Sequence, residues 1–264
     1  MLYIGTNLKM YKTIAQTVDY MKELQDLTSD IDRERLMLFV IPSYTSLESA
    51  GKCIINKNIK FGAQNMFWEP EGQFTGEISP VMLKETGVEI IEIGHSERRH
   101  VFGETDADVN KKVLAALKYS FTVLLCIGET KEQKELGIGN EILNIQLKTA
   151  LCGVSRQDLN RLWIAYEPVW AIGVHGTPAS SEYVSKKHQV IKSVLKALYG
   201  ETGESVPVLY GGSVNNENAH ELIIMPGVDG LFIGRSAWNA VNFNKIIRQV
   251  IELTGQCKKR TNSF

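Results

Sequence analysis

The sequence predicts an α/β fold in which eight parallel strands, each followed by a helix, close into a single (β/α)8 barrel. Three observations carry that expectation. Short runs rich in Val, Ile, Leu and Phe alternate with longer amphipathic segments along the whole chain, the pattern of successive strand–helix units around a parallel sheet. The chain has 264 residues, 44% of them hydrophobic, which suits one barrel-sized core rather than two small domains. No G-x-G-x-x-G turn follows the first apolar run, so an open, doubly wound dinucleotide fold is disfavoured.

Eight strand runs can be read off in order: 2–8, 36–42, 59–65, 88–95, 121–128, 162–168, 206–213 and 228–234. Between them the spacing is helical. Val18, Met21, Leu24 and Leu27 form one three-to-four-residue stripe, and Val109, Val113, Ala116 and Leu117 form another. Residues 256–264 are polar and predict a loosely ordered tail.

Composition excludes several function classes. With Lys+Arg 29 against Asp+Glu 30 the formal net charge is -1, which leaves no electrostatic footprint for nucleic acid or anionic membrane. The N-terminus has no signal-peptide pattern and no apolar run approaches a bilayer span, so a cytoplasmic protein is expected. Cys53, Cys126, Cys152 and Cys257 lie far apart in the chain. They match neither a metal site nor a C-x-x-C motif, and the sequence predicts no disulfide, no metal and no cofactor.

The chemistry of such a barrel sits where strands end and strand-to-helix loops begin. The first run ends in Asn7-Leu-Lys9, the third in Gln64-Asn65, the fourth in His95-Ser-Glu97, the fifth in Cys126-Ile-Gly-Glu129 and the sixth in Glu167. Pro168 keeps Glu167 extended, and Gly173 and Gly176 bound a segment short enough to act as a lid. After the seventh and eighth runs, Tyr210-Gly-Gly-Ser213 and Gly234-Arg-Ser236 offer free backbone N–H groups suited to an anion. Taken singly, each has a bland reading: Glu167 as an ion-paired strand end, His95 as a structural histidine, Lys9 as a solvated lysine. Together they place a base, an imidazole, a lysine and a phosphate cradle at one end of one barrel. His100, His188 and His220 receive no role, and Trp170 is expected to anchor the lid by its hydrophobic ring.

The segments Gly5-Thr-Asn-Leu-Lys-Met10, Ile93-Gly-His-Ser-Glu-Arg-Arg99, Cys126-Ile-Gly-Glu129, Ala165-Tyr-Glu-Pro-Val-Trp-Ala-Ile-Gly173 and Leu209-Tyr-Gly-Gly-Ser-Val214 resemble those of the triosephosphate isomerase family, from the first strand to the last. The resemblance implies a TIM barrel and cofactor-independent interconversion of dihydroxyacetone phosphate and D-glyceraldehyde 3-phosphate through an enediolate, a step of glycolysis and gluconeogenesis. It implies Glu167 as base, His95 as electrophile, Lys9 and Asn7 on the substrate oxygen, and Glu97 as a carboxylate supporting Lys9. Gly173, Ser213, Gly234 and Arg235 would hold the phosphate. Ile172, Val174, His175 and Gly176 would belong to the lid. It also implies a homodimer, with the 64–78 loop and its Phe67, Trp68 and Phe74 inserted into a twin subunit and Thr75 near the neighbour's Asn7 and His95.

Two segments depart from the family pattern. The lid tip reads Gly173-Val-His-Gly-Thr-Pro178 where Gly-Thr-Gly-Lys-Thr-Ala is usual, and the last loop reads Gly234-Arg-Ser-Ala237 in place of Gly-Gly-Ala-Ser. With Asn65-Met-Phe-Trp68 and Arg235-Ser-Ala-Trp-Asn239, they resemble the branch that includes L-erythrulose-1-phosphate isomerase. On the strength of the full-length motif match, the leading expectation remains triosephosphate isomerisation. The alternative is the four-carbon pair L-erythrulose 1-phosphate and D-erythrulose 4-phosphate, and a non-catalytic phosphate-binding barrel is a weaker third reading.

Overall fold

A computed structural model describes residues 1–54, 58–173 and 176–261, with side chains described as far as Thr254. Eight parallel strands close into a barrel in the order of the chain: β1 (Leu2–Asn7), β2 (Leu36–Ile41), β3 (Lys60–Ala63), β4 (Ile90–Ile93), β5 (Thr122–Ile127), β6 (Leu162–Tyr166), β7 (Val208–Tyr210) and β8 (Gly230–Ile233). Closure is made by β1 pairing with β8, with Tyr3 opposite Gly230 and Thr6 opposite Ile233.

The strands are shorter than the apolar runs that encode them. β7 begins at Val208 rather than 206 because Pro207 has no N–H to give the ladder. Asn7 is the last paired residue of β1 and Glu167 extends the β6 ladder by one bond, so both stand at the mouth of the barrel.

Both faces of the sheet are buried, so the strands show no strict polar alternation. Inside the barrel Phe39, Ile41, Ile90, Leu124, Trp163 and Phe232 pack together. Gly5 admits Phe39: a Cβ at position 5 would lie 2.2 Å from that ring. Phe39 in turn stacks on Phe232 at 5.7 Å and tilts against Trp163 at 5.5 Å, an arrangement that fills the barrel interior with rigid rings.

Outside the barrel, amphipathic helices cover the sheet at Ile14–Leu27, Asp106–Lys118, Gly139–Ala150 and Ser181–Tyr199. The expected stripes point inward: Met21, Leu24, Val109, Val113, Ala116 and Leu117 are all buried, while Val18 and Leu27 lie at the rim of the stripe. Thr13 and Thr105 start two of these helices with reciprocal capping boxes to Gln16 and Asp108, which satisfy N–H groups that have no partner inside the helix. The last helix runs Ala240–Thr261. The side chains of the expected loose tail, 256–264, all lie outside the described residues, and its backbone as far as Thr261 continues this helix. Among the described residues no helix is long and apolar enough to cross a membrane, and Cys53, Cys126 and Cys152 are free thiols.

Candidate active site

At the mouth of the barrel the end of β1 is locked by its own side chains. Asn7 Oδ1 accepts from the Lys9 backbone N–H at 2.6 Å and from Gln64 Nε2 at 3.0 Å, and the same Gln64 nitrogen donates to the Lys9 carbonyl at 2.8 Å. These bonds hold Lys9 at φ 49, a left-handed conformation that a long side chain rarely adopts. Strain of that kind persists only where neighbours over-determine it, and it clusters at functional sites. The result is to turn the Lys9 ammonium across the mouth, where Nζ meets Glu97 Oε1 at 2.6 Å. Gln64, a strand-end residue without an assigned role in the sequence reading, is thus the brace of the Asn7–Lys9 corner.

His95 follows β4 and caps the short helix Ser96–His100; its Nδ1 accepts the Glu97 backbone N–H at 3.1 Å. A ring nitrogen that accepts carries no proton, so the imidazole proton stands at Nε2. That nitrogen lies 3.8 Å from Glu167 Oε2. Glu167 extends the β6 ladder by one bond, its N–H donating to the Ile127 carbonyl at 2.8 Å. Its side chain is buried, and Oε2 has no hydrogen-bond partner. A buried carboxylate oxygen without a donor is costly unless a ligand uses it. The sequence-predicted set of Asn7, Lys9, His95, Glu97 and Glu167 is therefore brought together at one mouth.

One member of the cluster was not predicted. Glu92 lies within β4, is fully buried, and points into the barrel as Ile90 does two residues earlier. Asn7 Nδ2 donates to both of its oxygens, at 3.0 and 2.8 Å. Burial first, and then the charge of Glu167, push the Glu92 carboxyl well above the usual carboxylate range. The available signal was a glutamate inside the run Val88–His95: in a sheet buried on both faces, such a residue has no solvent to face.

Among the described residues, Glu92, His95 and Glu167 are the group whose ligating atoms come within 4.8 Å of one another. The set does not suit a divalent ion well, because both Glu92 oxygens are turned to the Asn7 amide and burial disfavours the charged form of that carboxyl.

Across the mouth lies a cavity of about 250 Å³ that links Asn7, Lys9, His95 and Glu167 to Gly173, Ser213, Gly234 and Arg235. Ile172 and Gly176 line it as well; Val174 and His175 lie outside the described residues. Ser213 Oγ donates to the Ala171 carbonyl at 2.7 Å, which ties the loop after β7 to the root of the lid. Trp170 does more than fill space. Its Nε1 donates to Glu129 Oε1 at 3.0 Å, and Lys134 Nζ stands 3.4 Å from the centre of its ring. Glu129 is fully buried and also accepts from the Tyr183 hydroxyl at 2.8 Å and the Tyr166 hydroxyl at 3.1 Å. The expected hydrophobic anchor packs against the core and is a polar anchor as well: a buried carboxylate gathers three aromatic donors beneath the lid root.

A buried carboxylate with an unpartnered oxygen, an imidazole N–H facing it, a lysine, and a cavity that ends in glycine- and serine-bearing loops fit one class: a (β/α)8-barrel isomerase of small phosphorylated sugars. A family model described as triosephosphate isomerase matches residues 2–250, and the chain belongs to the triosephosphate isomerase family. It is 45% identical over 251 residues to an L-erythrulose-1-phosphate isomerase of Rhizobium etli, covering 94% of this chain and 92% of that protein. A protein of the same name from Rhizobium meliloti is 44% identical, covering 94% of this chain and 96% of that protein. Among solved structures, a triosephosphate isomerase from Bartonella henselae superposes with a TM-score of 0.85 at 32% identity, covering 94% of this chain and 98% of that one.

Proposed function

We propose that the protein interconverts L-erythrulose 1-phosphate and D-erythrulose 4-phosphate. The observation that carries this reading is the 45% identity over nearly the whole chain to a relative named for that substrate, against 32% to the triosephosphate isomerase structure. It reverses the order of the two expectations drawn from the sequence. The departures at Gly176, Pro178 and Arg235 support it, because these residues line the cavity and differ from the usual triosephosphate isomerase pattern.

The proposed roles follow the geometry. Glu167 takes the proton from the carbon beside the carbonyl and returns it to the former carbonyl carbon, while a hydroxyl proton crosses between the two oxygens. General-base catalysis of this kind contributes about 10²–10⁴-fold. His95 Nε2–H and Lys9 stabilise the enediolate oxygens, a placed donor contributing about 3–4 kcal/mol. Glu97 holds Lys9 in reach. Gly173, Ser213, Gly234 and Arg235 take the phosphate, and this remote binding energy closes the 172–179 lid and excludes water from the intermediate.

The triose reaction uses the same atoms and differs only by one hydroxymethyl group at the substrate's far end. The deciding experiment is kcat/KM for both substrates on one purified sample. A preference for the tetrulose phosphate is expected, and a preference for dihydroxyacetone phosphate of more than about 10²-fold would restore the triose reading, because one methylene-sized group in an apolar pocket provides no more than that.

We further infer a homodimer formed through the 64–78 loop. Phe67 stacks on Trp68 at 4.0 Å and meets Phe74 at 4.5 Å, while Phe74 remains 41% exposed. Val101 and Phe102 are also exposed, at 70% and 67%. Such residues favour a protein partner over water. A fully active monomer by light scattering at micromolar concentration would refute the dimer.

A further inference from the structure

The barrel interior beneath the site is built from apolar side chains, with Glu92 standing among them next to Ile90 and Cys126. A buried carboxyl in that setting is expensive, and its return is to be sought in what it touches. It touches Asn7. The Asn7 amide cannot turn over, because its oxygen is already committed to the Lys9 N–H and to Gln64, and its nitrogen lies on both Glu92 oxygens. Asn7 itself lines the cavity, so its amide is fixed by Glu92, Lys9 and Gln64 at the wall of the site.

We propose that Glu92 is a positioning residue of the isomerase: it aims the Asn7 amide at the substrate oxygen, and its buried carboxyl does so without adding a second negative charge beside Glu167. The inference rests on the reading of Glu167 as base given above. Glu92, His95 and Glu167 lie within 4.8 Å of one another, so a second negative charge at Glu92 would act on the base and on the enediolate at short range. In a site screened from water, that repulsion is strong. Loss of the Glu92 proton therefore lowers the rate on the alkaline side.

Other ionisable groups face Glu92. Lys9 approaches from the end of β1, Tyr44 from the turn after β2, Cys126 from β5, and Glu97 from the helix that follows β4. They are unaltered by substitution at position 92, so whatever alkaline limb persists in E92Q belongs to them.

The experiment compares wild type, E92Q, E92L and E167Q on the tetrulose and triose phosphates, with kcat and KM measured across pH. Glutamine keeps the size and neutrality of the acid and still accepts from Asn7; leucine does neither. E92L is expected to lose about tenfold or more in kcat, the scale of one misdirected hydrogen bond, with little change in inhibition by inorganic phosphate, which reads the far end of the cavity. E92Q is expected to recover most of that loss and to show a weaker alkaline fall than wild type. If E92L does not fold, the E92Q profile alone decides.

An E92Q profile with the wild-type alkaline limb overturns the inference. So does folded E92Q that is as impaired as E92L, since the charge would then be required. E167Q separates the two claims. Near-complete loss there supports Glu167 as base whatever happens at position 92, and full turnover by E167Q overturns both.

Discussion

Glu167 occupies its place because Gly211 has no side chain: a Cβ at position 211 would lie 2.6 Å from Glu167 Cγ and 3.0 Å from Oε1. The two residues end adjacent strands, and the Gly211 N–H donates to the Tyr166 carbonyl at 2.8 Å, so neither backbone can yield without breaking the ladder. Gly211→Ala is thus expected to displace the carboxylate by an amount of order 1 Å, which can lower kcat/KM by about 10²-fold. The fold should lose only about 1–3 kcal/mol from overpacking. Turnover together with a urea midpoint checks both halves, and an alanine variant with native kcat/KM would show that the base is not held there.

Glu167→Asp moves the same carboxylate from its own end. Shortening by one methylene retracts the oxygens by roughly 1 Å and is expected to reduce kcat on the order of 10²-fold. The backbone bond from the residue 167 N–H to Ile127 is untouched, so the melting temperature should stay close to that of the parent. Steady-state kinetics and a thermal melt suffice.

His188 gives a prediction about acid stability. It is fully buried, its Nδ1 lies 2.9 Å from the Gly227 carbonyl, and its Nε2 has no partner. Burial lowers its pKa from 6.5 to about 4. The unfolded chain therefore takes up the proton first as pH falls. The contribution is fully present above pH 6.5 and disappears as pH drops through 4, a loss of about 3 kcal/mol for a shift of this size. Denaturant midpoints from pH 7 to 4 should fall more steeply for the parent than for His188→Asn, which keeps a donor for Gly227 but does not titrate. Equal slopes would remove His188 from the account.

Glu129 is expected to matter for stability more than its distance from the reacting atoms implies. Glu129→Leu leaves the Tyr166 and Tyr183 hydroxyls and the Trp170 indole N–H without their acceptor. Unsatisfied buried groups cost about 1–3 kcal/mol each, and a total on the order of 3 kcal/mol is expected once local relaxation is allowed. Glu129→Gln should recover part of it. Chemical denaturation of the two variants measures the difference, and a leucine variant as stable as the parent would contradict the bonding seen beneath the lid.

Much of the fold was legible because barrel strands are short, buried on both faces and separated by one-faced helices, and each of these leaves a periodic mark. The ends of the strands were legible for the same reason: a polar residue terminating an apolar run, as with Asn7, His95 and Glu167, has to sit at a rim. Glu92 was passed over because a lone glutamate within a strand looks like a solvent-facing position until closure of the sheet removes the solvent. The role of Trp170 was read too narrowly, since an indole reads as bulk until an acceptor such as Glu129 is brought beside it from another strand.

The sequence by itself determined the eight-fold strand–helix order, the identity of the polar groups at the mouth and membership of an isomerase lineage, since these depend on local pattern and residue type. The tertiary structure alone decided how those groups are held and which further groups join them. The Lys9 turn, the single acceptor Glu129 for three rings, the room Gly211 leaves for Glu167 and the grip of Glu92 on Asn7 join residues 37 to 88 positions apart. Such distances in sequence become contacts only when the barrel closes, because closure brings the ends of all the strands to one rim and removes the water that would otherwise satisfy each polar group separately.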